Sequence, residues 1–276
     1  MRYSCAIVRH VADTFDCCIK DPKYGEQTIL VSEARRQHEE YCELLSSKVS
    51  QVVEIAADND LPDCVFVEDT AVVVGNIAII THPAPISRRQ EVWEVEKVFR
   101  NQGLQVLFVK DYSSNQVFLD GGDVLWTGRH LFVGVGERTN WEAIEALRKC
   151  LESVEVVPIK LEQIMHLKSV VTFIPCPTVG EDFYGFLVVA ETLQGRRVFQ
   201  AVSSVSSGYE VIWIPEEEAY AANVLYCNGT VMIPKEFPES AKRMASRLGS
   251  FYSLAFVNMS QFRIANGALT CCSILF

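Results

Sequence analysis

The chain has 276 residues, 49% hydrophobic and 22% charged, with a formal net charge of −10. That composition supports a sizeable core in one or two domains, and the acidic balance leaves no basic patch of the kind a nucleic-acid binder presents. No uninterrupted apolar run reaches membrane-spanning length: the best candidate, Ala71 to Ile80, is broken by Gly75 and Asn76.

The predicted elements follow a rhythm. Tyr3–Val8 reads as a strand, and an amphipathic helix opens near Ser32 with Tyr41, Leu44, Leu45, Val49 and Val52 as its apolar positions. Strand runs Thr70–Val74 and Ile77–Thr81 flank Gly75-Asn76, and a second helix opens at Ser87 with the box Ser87-x-x-Gln90 and ends at Gly103. Val124–Trp126 and Leu131–Val133 flank Gly128-Arg129, ahead of a third helix capped by the box Thr139-x-x-Glu142. His166–Ile174 and Gly185–Ala190 form a looser strand pair, followed by a helix carrying Val198, Phe199, Val202 and Val205 that ends at Gly208. Val224–Tyr226 and Val231–Ile233 flank Asn228-Gly229, and a fifth helix runs from about Glu239 to Gly249. The C-terminal run Ala268–Phe276 reads as a strand able to pair with Tyr3–Val8.

Five units of two strands, a helix and a further strand, at roughly 55-residue spacing or a little less, fill the chain. They predict a single domain over residues 1–276, an α/β array of five pseudo-symmetric ββαβ repeats around a central channel. An ordinary mixed α/β sheet is the commoner architecture; the even spacing favours the ring. In a ring, Glu68-Asp69, Asp120, His166, Ala222-Asn223 and Leu269–Cys271 all fall near the start of an inner strand pair, and so converge on one end of the channel.

Ten Cys are present, with no signal-peptide pattern, which predicts free thiols in a reducing, cytoplasmic setting. No second C-x2-C or H-x3-H completes a structural zinc site. Cys271, in an apolar strand-like run, reads either as a nucleophile whose pKa is lowered by positive neighbours or a bound cation, or as one more inert buried thiol. Cys272 is expected to face the opposite way, into packing. His166 reads as a general acid/base or as a satisfied half-buried His. Glu68 and Asp69 lie between apolar residues and so need cationic partners, either Lys/Arg or a guanidinium substrate. Asp120 opens the turn Asp120-Gly121-Gly122-Asp123, and Arg88 and Arg138 sit where helices are expected to open, able to meet a substrate carboxylate.

The motifs Leu61-Pro62-Asp63-Cys64-Val65-Phe66-Val67-Glu68-Asp69, Ser87-Arg88-Arg89, Leu119-Asp120-Gly121-Gly122-Asp123, Glu137-Arg138-Thr139-Asn140, His166-Leu167-Lys168-Ser169 and Leu269-Thr270-Cys271-Cys272-Ser273 occur in this order along the chain. As a set they resemble the dimethylarginine dimethylaminohydrolases of the pentein, or guanidino-group-modifying, superfamily. The resemblance implies a pentein α/β propeller that hydrolyses Nω,Nω-dimethyl-L-arginine or Nω-methyl-L-arginine to L-citrulline and an amine through a covalent Cys thiouronium. It implies Cys271 as nucleophile, His166 as acid/base and Asp120 as its orienting partner. It implies Glu68, Asp69 and Asp63 at the guanidinium and chain of the substrate, Arg88 and Arg138 at its carboxylate, and the Ala265 carbonyl at its amino group. Ile19 would cover the substrate from a lid spanning Asp13–Glu26, one residue longer here than usual. Asn266, where the animal enzymes have Asp, and Ser260-Gln261 also depart from the pattern. No cofactor is implied. Zinc would inhibit through Cys271 and His166 rather than build the fold. The expected partner is a small methylated arginine, with no membrane, and the chain a monomer or weak homo-oligomer linked to nitric oxide regulation. Arginine deiminase or amidinotransferase chemistry on the same fold, or a catalytically silent pentein binding protein, are the alternatives.

Overall fold

The structure, a computed structural model, describes residues 1–20, 23, 27–177 and 183–276; part of the expected lid, Asp13–Glu26, lies outside them. In chain order the elements are β1 (Cys5–Arg9), α1 (Val31–Ser46), β2 (Gln51–Ile55), β3 (Ala71–Val74), β4 (Ile77–Ile80), α2 (Val92–Asn101), β5 (Gln105–Phe108), β6 (Val124–Trp126), β7 (His130–Val135), α3 (Trp141–Cys150) and β8 (Glu155–Lys160). They continue with β9 (Val171–Pro175), β10 (Gly185–Ala190), α4 (Leu193–Val205), β11 (Tyr209–Ile214), β12 (Leu225–Cys227), β13 (Thr230–Pro234), α5 (Pro238–Leu248), β14 (Ser253–Val257), α6 (Ser260–Ile264) and β15 (Ile274–Leu275).

These strands form five three-stranded sheets, β15-β1-β2, β3-β4-β5, β6-β7-β8, β9-β10-β11 and β12-β13-β14. In each, the middle strand pairs antiparallel with the first and, after its helix, parallel with the third. That is the ββαβ repeat read from the sequence. The middle strands β1, β10 and β13 are buried along their whole length; covered on both faces, they are near-continuous apolar runs rather than alternating ones. The helices bury one stripe against them, as α2 does with Val92, Val95 and Phe99. Between β12 and β13, Asn228 and Gly229 both take positive φ, the backbone a tight two-residue hairpin demands.

The chain ends close the ring. Ala6 pairs with Leu275 and Ile7 with Ile274, and the Ser4 and Cys5 N–H groups both donate to the Phe276 carbonyl at 2.8 Å. The first strands of all five sheets line a central channel, with Val72, Leu125, Phe173, Leu225 and Ile274 on its wall.

Three expectations are corrected. The helix expected to open at Ser87 begins at Val92, after a 3-10 turn over Ile86–Arg88, and no side-chain cap forms. Arg88 is instead drawn inward, where its guanidinium meets Asp69 and Glu91. The third helix is capped by Asn140, whose side chain accepts from the Ala143 N–H, because the Thr139 hydroxyl is taken by Asp123 Oδ2 at 2.7 Å. The C-terminal run is a strand only at Ile274–Leu275; Thr270–Cys272 is a 3-10 turn.

That last difference reveals a regularity. A 3-10 turn precedes the first strand of every unit: Val67–Thr70, Gly121–Asp123, Leu167–Ser169, Glu216–Ala222 and Thr270–Cys272. Neighbouring turns touch in succession around one end of the channel. Such turns tilt the chain across the channel mouth before it enters a strand, and so bring their side chains together.

Candidate active site

The turns and the loop after α6 line a small cavity. Cys271, His166, Asp69, Asp63, Arg88, Arg138, Ile19 and Ala265 all border it. Eight of the ten expected site residues are thus brought together. The other two stand behind them: Asp120 is fully buried against His166, and Glu68 lines an adjoining chamber that shares Cys271 and His166 with the first.

His166 is 7% exposed, and its Nε2 lies 3.0 Å from Asp120 Oδ2 and 3.8 Å from Asp69 Oδ1. Burial disfavours the imidazolium, but the carboxylates of Asp69, Asp120 and Asp123 outweigh it and push the His166 pKa up to about 9. The ring is therefore a cation at neutral pH, able to give a proton. Asp123 buttresses it, accepting from the Leu167 N–H at 3.0 Å and from Thr139.

Two glycines make room for this packing. A Cβ on Gly122 would come within 2.8 Å of both Asp69 Oδ1 and His166 Nδ1, and one on Gly267 would run into the Phe66 ring. The Gly122 N–H instead donates to Asp69 Oδ1 at 2.9 Å.

Both candidate guanidinium carboxylates already have cationic partners, the plainer of the two readings of Glu68-Asp69. Glu68 Oε1 meets Lys168 Nζ at 2.6 Å and its Oε2 accepts from Thr270 Oγ1 at 2.9 Å. Asp69 Oδ2 meets Arg88 Nη1 at 2.6 Å. Burial alone would raise the Asp69 pKa, but His166 and Arg88 hold it well below the ordinary carboxylate range. Asp63 faces the cavity beneath Ile19, whose N–H it accepts at 3.1 Å, and burial raises its pKa.

The two arginines differ. Arg88 spends its donors on Glu91, Asp69 and the Phe66 carbonyl; of its five N–H groups, one on Nη1 stays uncommitted among the described residues. Arg138 makes only a 3.7 Å approach to Asp120 and a 3.8 Å contact to Met165 Sδ among those residues. Its fork is the one open to an anion.

Of the two influences expected to lower the Cys271 pKa, positive neighbours and a bound cation, the first does not prevail. Burial, reinforced by Glu68 and Asp69, pushes its thiol well above the usual value, and Lys168 offsets this only in part. The positive neighbours expected to lower it are outnumbered, so the thiol is neutral in the free protein. Cys272 is fully buried, its Sγ against the Ala268 carbonyl at 3.7 Å, as foreseen, although on a 3-10 turn rather than a strand. Among the described residues, the one cluster of three or more metal-ligating side chains joins Asp69, Asp120 and His166, whose ligand atoms lie within 4.8 Å of one another.

The sequence signals Lys168 only through its place in His166-Leu167-Lys168-Ser169, one 3-10 turn from the imidazole. No helix among the described residues is long and apolar enough to cross a membrane.

The model of the family "N,N dimethylarginine dimethylhydrolase, eukaryotic" matches residues 13–236. The dimethylarginine dimethylaminohydrolase of Streptomyces coelicolor is 32% identical over 244 residues, covering 87% of this chain and 85% of the relative. That of Pseudomonas aeruginosa is 29% identical over 248 residues, 89% of each. A solved structure of the P. aeruginosa enzyme, a Cys-to-Ser mutant complexed with citrulline, superposes with a TM-score of 0.86 at 26% identity, covering 100% of both chains. The N-terminal domain of ArgZ, a cyanobacterial arginine dihydrolase, shares the fold with a TM-score of 0.77 at 19% identity, over 98% of this chain and 97% of that one. Fivefold architecture, converging turns and these likenesses agree: the chain belongs to the dimethylarginine dimethylaminohydrolase family of penteins, enzymes acting on guanidino groups.

Proposed function

We propose that this enzyme hydrolyses Nω,Nω-dimethyl-L-arginine and Nω-methyl-L-arginine to L-citrulline and dimethylamine or methylamine. The observation that carries the reading is that Cys271, His166, Asp63, Asp69, Arg88 and Arg138 border one small cavity, with Asp120 bonded to His166 behind it. A substrate cation next to Cys271 offsets the anions Glu68 and Asp69 that hold the thiol protonated, so binding itself promotes loss of the thiol proton to solvent. The Cys271 thiolate then adds to the guanidinium carbon. His166 passes its proton to the departing nitrogen, the C–N bond breaks, and a neutral amine leaves behind a thiouronium on Cys271. Neutral His166 takes a proton from water, the hydroxide attacks the same carbon, and as the C–S bond breaks the hydroxyl proton of the adduct passes to the leaving sulfur, giving citrulline, the Cys271 thiol and the His166 cation. Asp120 keeps the ring oriented throughout. Arg138, with one N–H of Arg88, takes the substrate carboxylate; Asp63 and the Ala265 carbonyl take its chain and amino end, under Ile19.

Deimination of unmethylated arginine is the rival on the same fold. A citrulline-release assay comparing dimethylarginine, monomethylarginine and arginine decides between them. The proposal requires higher kcat/KM for the methylated substrates with stoichiometric amine release; faster turnover of arginine with ammonia release would replace it.

A further inference from the structure

Four of the five units send a residue of the proposed chemistry to the channel mouth from the start of their first strand: Asp69, Asp120, His166 and Cys271. The remaining unit sends Asn223, which has no part in that chemistry. It follows the turn Glu216–Ala222, is 3% exposed, and lines the second chamber but not the small cavity.

The amide of Asn223 is fully engaged. Its Oδ1 accepts from the Thr270 N–H at 3.0 Å. Its Nδ2 donates to Thr270 Oγ1 at 3.0 Å and to the Lys168 carbonyl at 3.0 Å. Because one side faces a backbone donor and the other a backbone acceptor, the orientation of the amide is unambiguous. The Thr270 hydroxyl donates in turn to Glu68 Oε2 at 2.9 Å, and the other oxygen of Glu68 meets Lys168 Nζ at 2.6 Å. Asn223, Thr270, Glu68 and Lys168 thus form a closed circuit. It joins the residue before Cys271 to a residue two beyond His166.

We propose that Asn223 is a positioning residue that fixes the Cys271-bearing turn against the His166-bearing turn. The chemistry of the site supports asparagine specifically. A carboxylate of the same shape would set an oxygen against the Lys168 carbonyl, and a smaller side chain would span neither gap. A displacement of about 1 Å between reacting groups costs up to about 100-fold in rate. Among the described residues the hydrogen bonds of Asn223 run to Thr270 and Lys168 and none to Asp63, Arg88 or Arg138, so its loss acts mainly on kcat. This inference rests on the proposed role of Cys271 as nucleophile.

The test measures steady-state kinetics on dimethylarginine for wild type, Asn223→Ala, Asn223→Asp, Thr270→Val and the Asn223→Ala/Thr270→Val pair, with circular dichroism as a check of folding. Expected are kcat losses of roughly ten- to a hundredfold for both Asn223 variants with KM nearly unchanged, and a double variant no worse than its more damaged parent, because both changes open one circuit. If Asn223→Ala fails to fold, the isosteric Asn223→Asp carries the test. A second readout needs no turnover: the alkylation rate of Cys271 by iodoacetamide, mapped by mass spectrometry with the exposed Cys17 as internal reference. The ratio of Cys271 to Cys17 labelling changes in both Asn223 variants and falls in Asn223→Asp, which adds an anion to the chamber that Cys271 lines. If wild type released no citrulline from any arginine derivative, the proposed function would fail while the labelling ratio still decided the positioning role. A folded Asn223→Ala with unchanged kcat and unchanged labelling, or a loss confined to KM, overturns the inference.

Discussion

Replacing His166 by Gln tests the electrostatics of the site through stability rather than turnover. The imidazole stands at about 9 in the folded protein against an ordinary value near 6.5, a difference worth about 3 kcal/mol. The folded value is raised, so this contribution is fully present below about pH 6.5 and is lost as pH rises through about 9. About 2 kcal/mol of it disappears between pH 7.5 and 10, a window in which Asp123, at about 6, and Glu91, at about 7, are already mostly ionised in the wild type. Urea denaturation under reducing conditions at those two pH values gives the quantity directly. Wild type should lose about 2 kcal/mol more stability than His166→Gln across the window. Parallel losses in the two proteins would mean that His166 is not held as a cation, and its assignment as the acid would go with it.

The other perturbations separate roles that look alike in sequence. Arg88→Ala strips a buried guanidinium from Asp69 and Glu91 and should cost about 3–5 kcal/mol of stability. Arg138→Ala should leave the melt nearly unchanged and raise KM for substrates with an α-carboxylate, but not for a simple alkylguanidine; thermal melts with paired kinetics check both. Lys168→Met leaves Glu68 buried without its cation and should destabilise strongly, with Glu68→Gln in the same chain restoring most of the loss, as a double-mutant cycle of denaturation midpoints will read. Cys271→Ser should fold with wild-type cooperativity and release no citrulline, since a hydroxyl is a far weaker nucleophile than a thiolate, whereas Cys272→Ser, whose Sγ only packs against a carbonyl, should keep most of the activity.

The fivefold repeat was legible because it rests on local signals. Apolar runs, turn pairs such as Asn228-Gly229 and helix stripes such as Val198, Phe199, Val202 and Val205 are set by nearest neighbours, and their recurrence counts the units. The junction of the chain ends followed from that count. What stayed hidden depends on contacts far apart in sequence. The boxes at Ser87 and Thr139 read as helix caps, yet tertiary partners pull Arg88 and Thr139 away to Asp69 and Asp123. The run at Cys271 looked like a strand because it is apolar, and periodicity does not separate a short strand from a buried turn. The reactive state of its thiol depends on the sum of charges from Glu68, Asp69 and Lys168, two of which lie some two hundred residues away in the chain. Asn223 offered no signal beyond its place at the equivalent point of its unit.

Covalent attack by Cys271 is the centre of the account, and a rapid acid quench during turnover of dimethylarginine examines it most directly. Peptide mapping of the quenched enzyme by mass spectrometry is predicted to find an arginine-derived thiouronium on Cys271 that forms and decays at rates matching citrulline release. Citrulline formed at full rate with Cys271 unmodified at every time point, or by Cys271→Ser, would contradict it.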